Sequence, residues 1–393
     1  MESHFVEWLN LAVRWFHFTT GIAWIGASFY FNWLENHLNR VGQRDEIAGS
    51  LWAVHGGGFY YLEKYKVAPH IIPKPLHWFK YEAYFTWISG ISLMAIVYYW
   101  NPQLYLIDSS KFVLSSGAAI GISLAILFGS WFFYDALCKS KMGNDNRMIA
   151  LIGLAVVAIM TYGLSVIFSD RAAYIHVGAA LGTCMVANVF RVIIPSQQAM
   201  VDAGLAGRKP DPILGKKAFQ RSLHNNYMTL PVLFVMISNH FPSTFGHQLS
   251  WQILIIVSVV GFLIRHWFNL KGRGQYQNSL LIFAAIGFVG AGYLTRPQPK
   301  VEQEVQGAAE VTDERMMEIV KTRCVTCHGA QPTDDVFSVA PAGVVYDTID
   351  DVKKFKERIQ ARAVDTHDMP FANKTVMTEN ERTEMARWIA AQP

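Results

Sequence analysis

The chain predicts an all-α protein: a polytopic membrane helix bundle of about eight transmembrane helices, followed by a small helical domain. Three observations predict it. Of 393 residues, 52% are hydrophobic and only 16% charged, where soluble domains carry roughly 25% charged. The charge is unevenly spread: residues 1–300 hold 23 Lys+Arg against 13 Asp+Glu, and residues 301–393 hold 11 against 17. A basic, apolar part therefore precedes an acidic tail. The tail contains Cys324-Val325-Thr326-Cys327-His328, a spacing with its own chemistry. The expected organisation is 1–295 for the bundle, 296–310 for a linker and 311–393 for the tail domain. Neither part carries a basic stripe with interleaved aromatics, which argues against nucleic acid as a partner.

Apolar runs fall at about 8–32, 82–100, 114–137, 149–168, 173–194, 226–241, 250–268 and 278–295. Most approach the roughly 20 residues a helix needs to cross the bilayer core. The sixth is short, and Pro231 is expected to kink it. The first run is too long for a cleavable signal and lacks a basic leader, so it reads as an uncleaved first helix. The segments 35–80, 138–147, 191–224 and 265–277 together hold eighteen Lys+Arg, and the alternate segments 101–113, 169–172 and 242–249 hold two. Basic segments stay cytoplasmic, so both the N-terminus and the tail are expected on the outer, periplasmic side of a bacterial cell membrane. Within 35–80, the run His55-Gly56-Gly57-Gly58-Phe59-Tyr60-Tyr61 suggests an ordered loop or hairpin that caps something.

Residues 296–310, rich in Pro, Glu and Gln, read as a linker. Thr312 is expected to cap a helix with Asp313 and Glu314 in its first turn, and that helix delivers Cys324. A second helix is expected over 348–362. Thr378 and Glu381 form a capping box that opens a last helix bearing Met385, Trp388 and Ile389 on one side. The C-x-x-C-H spacing is that of covalent haem c attachment, with Cys324 and Cys327 bound to the vinyl groups and His328 to the iron. A zinc site or redox pair is disfavoured by His328 and by the lack of a second C-x-x-C. The whole pattern resembles a small class I cytochrome c. Met369-Pro370 resembles that family's axial methionine loop, with Met377 the competitor and His367 a weaker alternative. Cys138 and Cys184 read as buried free thiols.

Ionisable groups within spans are costly and are functional candidates. His17 lies within the first span and His176 within the fifth, ahead of Gly178 and Gly182, a pair that lets helices approach closely. Glu82 opens the second span, Asp135 closes the third, His224-Asn225-Asn226-Tyr227 opens the sixth, and Arg265-His266 ends the seventh. For Glu82, Asp135, His240 and His266, at span ends, anchoring is an equal reading.

Four runs carry a further resemblance: Thr20-Gly21-Ile22-Ala23-Trp24-Ile25-Gly26, Leu76-His77-Trp78-Phe79-Lys80-Tyr81-Glu82-Ala83, Ala173-Tyr174-Ile175-His176-Val177-Gly178 and His224-Asn225-Asn226-Tyr227-Met228-Thr229-Leu230-Pro231. Through them the chain resembles the bacterial membrane-bound urate hydroxylases, which have eight spans and a fused cytochrome c domain. The resemblance implies oxidation of urate to 5-hydroxyisourate, with electrons passed to haem c and on to a downstream cytochrome c or terminal oxidase. Such chemistry asks for a base of near-neutral pKa and for donors to oxygen and negative charge. His224, Glu82, Arg265 and His266, with Asn225 and Asn226, are the candidates, all expected near the cytoplasmic face. The haem lies on the other side of a core roughly 30 Å thick, so either the substrate sits in the outer half or a second redox centre intervenes. His17 and His176 are candidates for holding a b-type haem or for lining the substrate site. The rival readings are a quinol–cytochrome c electron-transfer protein and a membrane-tethered electron carrier.

Overall fold

The computed structural model describes residues 2–69, 71–108, 111–296, 311–337 and 339–392. A helix stands at each of the eight apolar runs: α1 (Glu2–His37), α2 (Tyr81–Met94, prolonged by the wide turn Ala95–Tyr99), α3 (Ser116–Lys139), α4 (Asn146–Ile167), α5 (Asp170–Leu205, with a wide turn at Val189–Ile193), α6 (Pro212–Ser238), α7 (Ser250–Gly272) and α8 (Ser279–Leu294). Four of them, α3, α4, α5 and α7, are long and apolar enough to cross a membrane, and α8 is a shorter apolar helix. Large apolar side chains such as Phe132, Phe133, Ile282, Phe283 and Val289 are exposed on the bundle surface, where lipid would cover them.

Helix starts follow local chemistry. The Ser115 and Ser169 hydroxyls accept the amides of Ala118 and Ala172, and the Asp145 carboxylate accepts that of Arg147, each satisfying a donor at a helix N-terminus. The expected sixth run of 226–241 is too short. The helix begins at Pro212, capped by Asp211 (2.9 Å to the Ile213 amide). Its first turns hold Lys216, Lys217, Gln220 and Arg221, which hide it from an apolar window. Pro231 lies inside this helix. Gly178 allows α5 to lie against α6, since a Cβ there would fall 2.5 Å from Val235 Cγ1. Tyr174 Oη donates to Ser250 O at 2.6 Å and ties α5 to the start of α7.

The fold is not purely helical. Segment 35–80 contains an antiparallel hairpin, β1 (Ile47–His55) and β2 (Gly58–Tyr65), with His55 opposite Gly58. Gly56 and Gly57 have φ of +57° and +79°, the backbone a two-residue hairpin turn demands and glycine supplies freely.

The C-terminal residues have a core of their own. In α9 (Asp313–Arg323), α10 (Ile349–Lys354) and α11 (Glu379–Ala391), Met316, Ile319, Val320, Val352, Met385 and Trp388 are buried together. Thr312 caps α9, and Thr348 and Thr378 form full capping boxes with Asp351 and Glu381. The helix expected over 348–362 is broken into Ile349–Lys354, Lys356–Ile359 and the wide turn Gln360–Asp365. First and last helices are joined by Trp388 Nε1 donating to Asp313 Oδ1 (2.8 Å) and by Arg315–Glu384 (2.8 Å). This unit touches the bundle: the Phe371 ring meets Tyr105 (centroids 4.8 Å) and the Arg171 guanidinium (6.0 Å). The expected linker lies, beyond Arg296, outside the described residues.

Candidate functional site

Three groups of polar residues stand out. The first surrounds a cavity of about 590 Å³ between the C-terminal unit and the bundle, within the range of ligand pockets, roughly 300–1,000 Å³. Cys324, Cys327, His328 and Met369 all line it, as do Tyr105, Arg171 and Phe245 from the bundle. His328 Nδ1 donates to Val344 O at 2.9 Å. That fixes the tautomer and leaves Nε2, which makes no hydrogen bond among the described residues, as the ligating atom; metal-binding histidines are held this way. Burial pushes the Cys324 thiol up to about 12 and the Cys327 thiol up to about 11, so neither is poised as a thiolate nucleophile. Met377 is only 3% exposed and packs in the core with Met385 and Trp388, away from the cavity lining. His367 also lines the cavity, its ring 3.6 Å from Glu379. The donor set would suit a haem: Cys324 and Cys327 would carry it, and His328 and Met369, which line the same cavity, are the residues that would hold its iron. Among the described residues no three His, Cys, Asp or Glu side chains converge as a bare metal site.

The second group centres on His224. Its Nε2–H donates to Asn146 Oδ1 (3.1 Å), so Nδ1 must accept from Tyr134 Oη (2.7 Å). Tyr134 Oη in turn accepts from Asn188 Nδ2 (3.2 Å), which also reaches Asn225 Oδ1 (2.8 Å). Arg221, 4% exposed, binds Asn188 Oδ1 and pairs with Asp135 at 2.7 Å. Lys139 meets the same carboxylate at 2.6 Å. Here every charge has a partner.

The third group lies two residues further along α6 and faces the other way, toward α1 and α7. Asn226 Nδ2 donates to Asn32 Oδ1 and to Asn269 Oδ1, both at 3.0 Å. Asn226 Oδ1 accepts from Arg265 Nε at 2.7 Å and from Arg265 Nη2. The guanidinium rests 4.1 Å over the Phe29 ring. Beside it, Tyr227 Oη bonds His266 Nδ1 (2.8 Å) and stacks on Phe262.

The four expected catalytic residues are thus not gathered. Arg265 and His266 share the α6–α7 interface. His224 faces α3 and α4, because positions two apart on a helix point to nearly opposite sides. The Glu82 side chain, in the first turn of α2, makes no hydrogen bond among the described residues. His17 and His176 are each held by hydrogen bonds of their own. His176 Nδ1–H donates to Ala172 O (2.7 Å) and Nε2 accepts from Ser123 Oγ (2.6 Å), so no lone pair is left for iron. His17 Nδ1 donates to Thr86 O (2.9 Å). Asn32, Asn269, Tyr134, Asn188 and Arg221 were not singled out from the sequence; only folding brings them to these networks.

Residues 3–295 match the model of a family described as urate oxidase N-terminal. No curated protein matches the chain, and no solved structure does.

Proposed function

The chain belongs to the urate oxidase N-terminal family, and on that premise we propose that it is a membrane-bound urate hydroxylase that delivers its electrons to a haem c carried by its own C-terminal domain. Urate and one water become 5-hydroxyisourate, two protons and two electrons. Cys324, Cys327, His328 and Met369 would hold a haem, which would supply one-electron acceptance, and a separate cytochrome c or terminal oxidase would be the final acceptor.

One observation carries the reading: Cys324, Cys327, His328 and Met369 line a cavity whose opposite wall is Tyr105 and Arg171 of the family-matched segment. The same cavity supports an eight-span topology with the tail outside. The three segments poor in Lys and Arg, at 101–113, 169–172 and 242–249, each contribute to it, through Tyr105, Arg171 and Phe245. Arg265 and His266 are the residues we assign to substrate, the first holding negative charge and the second, oriented by Tyr227, taking a proton. Fifteen residues of α7 separate Ser250 from Arg265, about 22 Å at 1.5 Å per residue. Aromatic rings stand along the way, with Tyr174 between Phe234 (6.5 Å) and the cavity-lining Phe245 (6.3 Å).

Purified full-length protein, oxidised and kept anaerobic, should show loss of urate absorbance coupled to a reduced haem band, two haem equivalents per urate. Urate left untouched under these conditions, or a colourless protein, refutes the reading. The variant Cys324→Ala/Cys327→Ala should lose covalently bound haem.

A further inference from the structure

The network around Arg265 is short of acceptors. Asn226 is saturated: its amide nitrogen donates to Asn32 and Asn269, and its oxygen takes two donors from Arg265. Two donors remain. Arg265 Nη1 makes no hydrogen bond among the described residues, and the residue, 8% exposed as a whole, has no carboxylate partner there. Asn269 is 4% exposed, and its Nδ2 is buried without a partner. A buried cation without a counter-ion and an orphaned amide donor are each costly. In the Arg221 network of the same bundle, by contrast, Asp135 balances the charge.

We propose that Arg265 Nη1 and Asn269 Nδ2, with Phe29 beneath the guanidinium, form the binding site for a planar oxopurine anion, entered through a cationic vestibule at the ends of α1 and α7. This rests on the urate reading and locates its substrate. An oxopurine anion offers what the site lacks: negative charge and carbonyl oxygens on a flat edge that an arginine fork can address. The vestibule is a pocket of about 570 Å³ lined by Asn36, Gly272, Arg273 and Arg40. Asn36 and Arg273 are four residues beyond Asn32 and Asn269 on the same two helices, one turn further out. Arg273 is held by Asn36 Oδ1 (3.0 Å), and Gly272 lets the helices meet, since a Cβ would lie 2.7 Å from Asn36 Cβ. Glu35, the acid in the lining, is bound by Arg40 (2.9 Å) and by Lys64 of the hairpin (2.5 Å), so the mouth attracts anions.

The test is equilibrium binding of radiolabelled urate to the full-length, haem-loaded protein in nanodiscs, with an uncharged N-methylated xanthine as the neutral probe. Wild type should bind urate and bind the neutral purine far more weakly. Arg265→Gln and Asn269→Leu should each raise the urate Kd at least tenfold while keeping haem content and monodispersity. Asn269→Asp, which supplies an internal carboxylate beside Arg265, should also lose urate binding yet melt higher without ligand. Arg273→Gln should raise KM several-fold at low salt with kcat unchanged. If wild type oxidises urate but Arg265→Gln and Asn269→Leu bind it as tightly, the site is wrong and the activity stands. If wild type neither binds nor oxidises urate, both fall together.

Discussion

Two buried arginines one helix apart teach more than either alone. Arg221 and Arg265 both lie in the bundle, both are less than a tenth exposed, and both bind an asparagine carbonyl. Arg221 is closed off by Asp135, which Lys139 also contacts. Arg265 has an aromatic ring and a carboxamide, but no carboxylate among the described residues. Charge and hydrogen bonding are complete in the first network and incomplete in the second. In this pair, completeness goes with a residue that holds the fold, and the open valence is what the proposed ligand would fill. The histidines divide the same way. His176 and His224 have both ring nitrogens engaged, whereas His328 keeps one free within a cavity.

The largest effect expected from this contrast is on stability. Breaking a buried ion pair by removing one partner costs ~3–5 kcal/mol, because the other charge stays behind unpaired. Arg221→Gln and Asp135→Asn should each lower the thermal midpoint of the bundle sharply in differential scanning fluorimetry. Arg265→Gln strands no charge, only the Asn226 carbonyl oxygen that it donates to, a loss of about 1–3 kcal/mol, so its midpoint in the absence of urate should fall less than that of Arg221→Gln. An Arg265→Gln variant that melts as low as Arg221→Gln would erase the distinction between the networks.

Ligand-dependent stability comes next. A ligand that binds only the folded state contributes RT ln(1 + [L]/Kd), about 2.7 kcal/mol at a hundredfold excess over Kd. Urate should therefore raise the midpoint of wild type and of Arg221→Gln, and leave that of Arg265→Gln unmoved. A urate-induced rise in Arg265→Gln equal to that in wild type would place the anion elsewhere.

Which of these features was legible in the sequence follows from how far apart the partners lie. Cys324, Cys327 and His328 sit on one turn, so their chemistry shows in five letters. The box of Thr378 and Glu381 spans four residues, and the turn at Gly56-Gly57 two; both could be read because both are local. Asn226 meets Asn32 across 194 positions, and no spacing announces that meeting. His224, Asn225 and Asn226 looked like one cluster in the sequence. On α6 they split, with His224 and Asn225 toward α3, α4 and α5 and Asn226 toward α1 and α7. Their neighbours in sequence are not their neighbours in space. His176 looked like a ligand because a histidine within an apolar run is costly. Ser123 and the Ala172 carbonyl, which bear that cost, are recognisable only once the helices have packed.

His176 gives a third test, of intermediate size. Its replacement by alanine leaves Ser123 Oγ with Tyr99 as its remaining partner (2.7 Å) and takes the side-chain donor from the Ala172 carbonyl, a loss of at most ~1–3 kcal/mol. Haem content should nonetheless stay at one c-type haem per chain in a pyridine haemochrome assay, because the proposed reading gives the iron to His328 and not to His176. A b-type haem in wild type that disappears from His176→Ala would reverse the assignment and make the bundle a second redox site.

The smallest effect belongs to two carboxyls of the C-terminal domain, Glu381 and Asp334, whose ion pairs are closed like that of Arg221. Burial acts to raise the Glu381 carboxyl. The Thr378 amide and hydroxyl (2.7 and 3.0 Å) and Arg323 (2.9 Å) outweigh it and hold the group below the usual carboxylate range. A carboxyl held low in the folded state contributes stability that is complete above its unfolded pKa, near 4.3, and is lost as pH falls through the folded value. The midpoint of this domain, followed by its haem absorbance, should therefore be flat between pH 5 and 7 as far as Glu381 is concerned and fall below about pH 4. Glu381→Gln should lower the plateau slightly, since exposed and half-exposed pairs contribute little, and should make the acid limb shallower. An acid limb as steep in Glu381→Gln as in wild type would mean that other carboxyls carry it, Asp334 first. That group is held low against its burial by Lys374 (2.6 Å) and the Val336 amide (2.8 Å), and Asp334→Asn would then be the variant that flattens the curve.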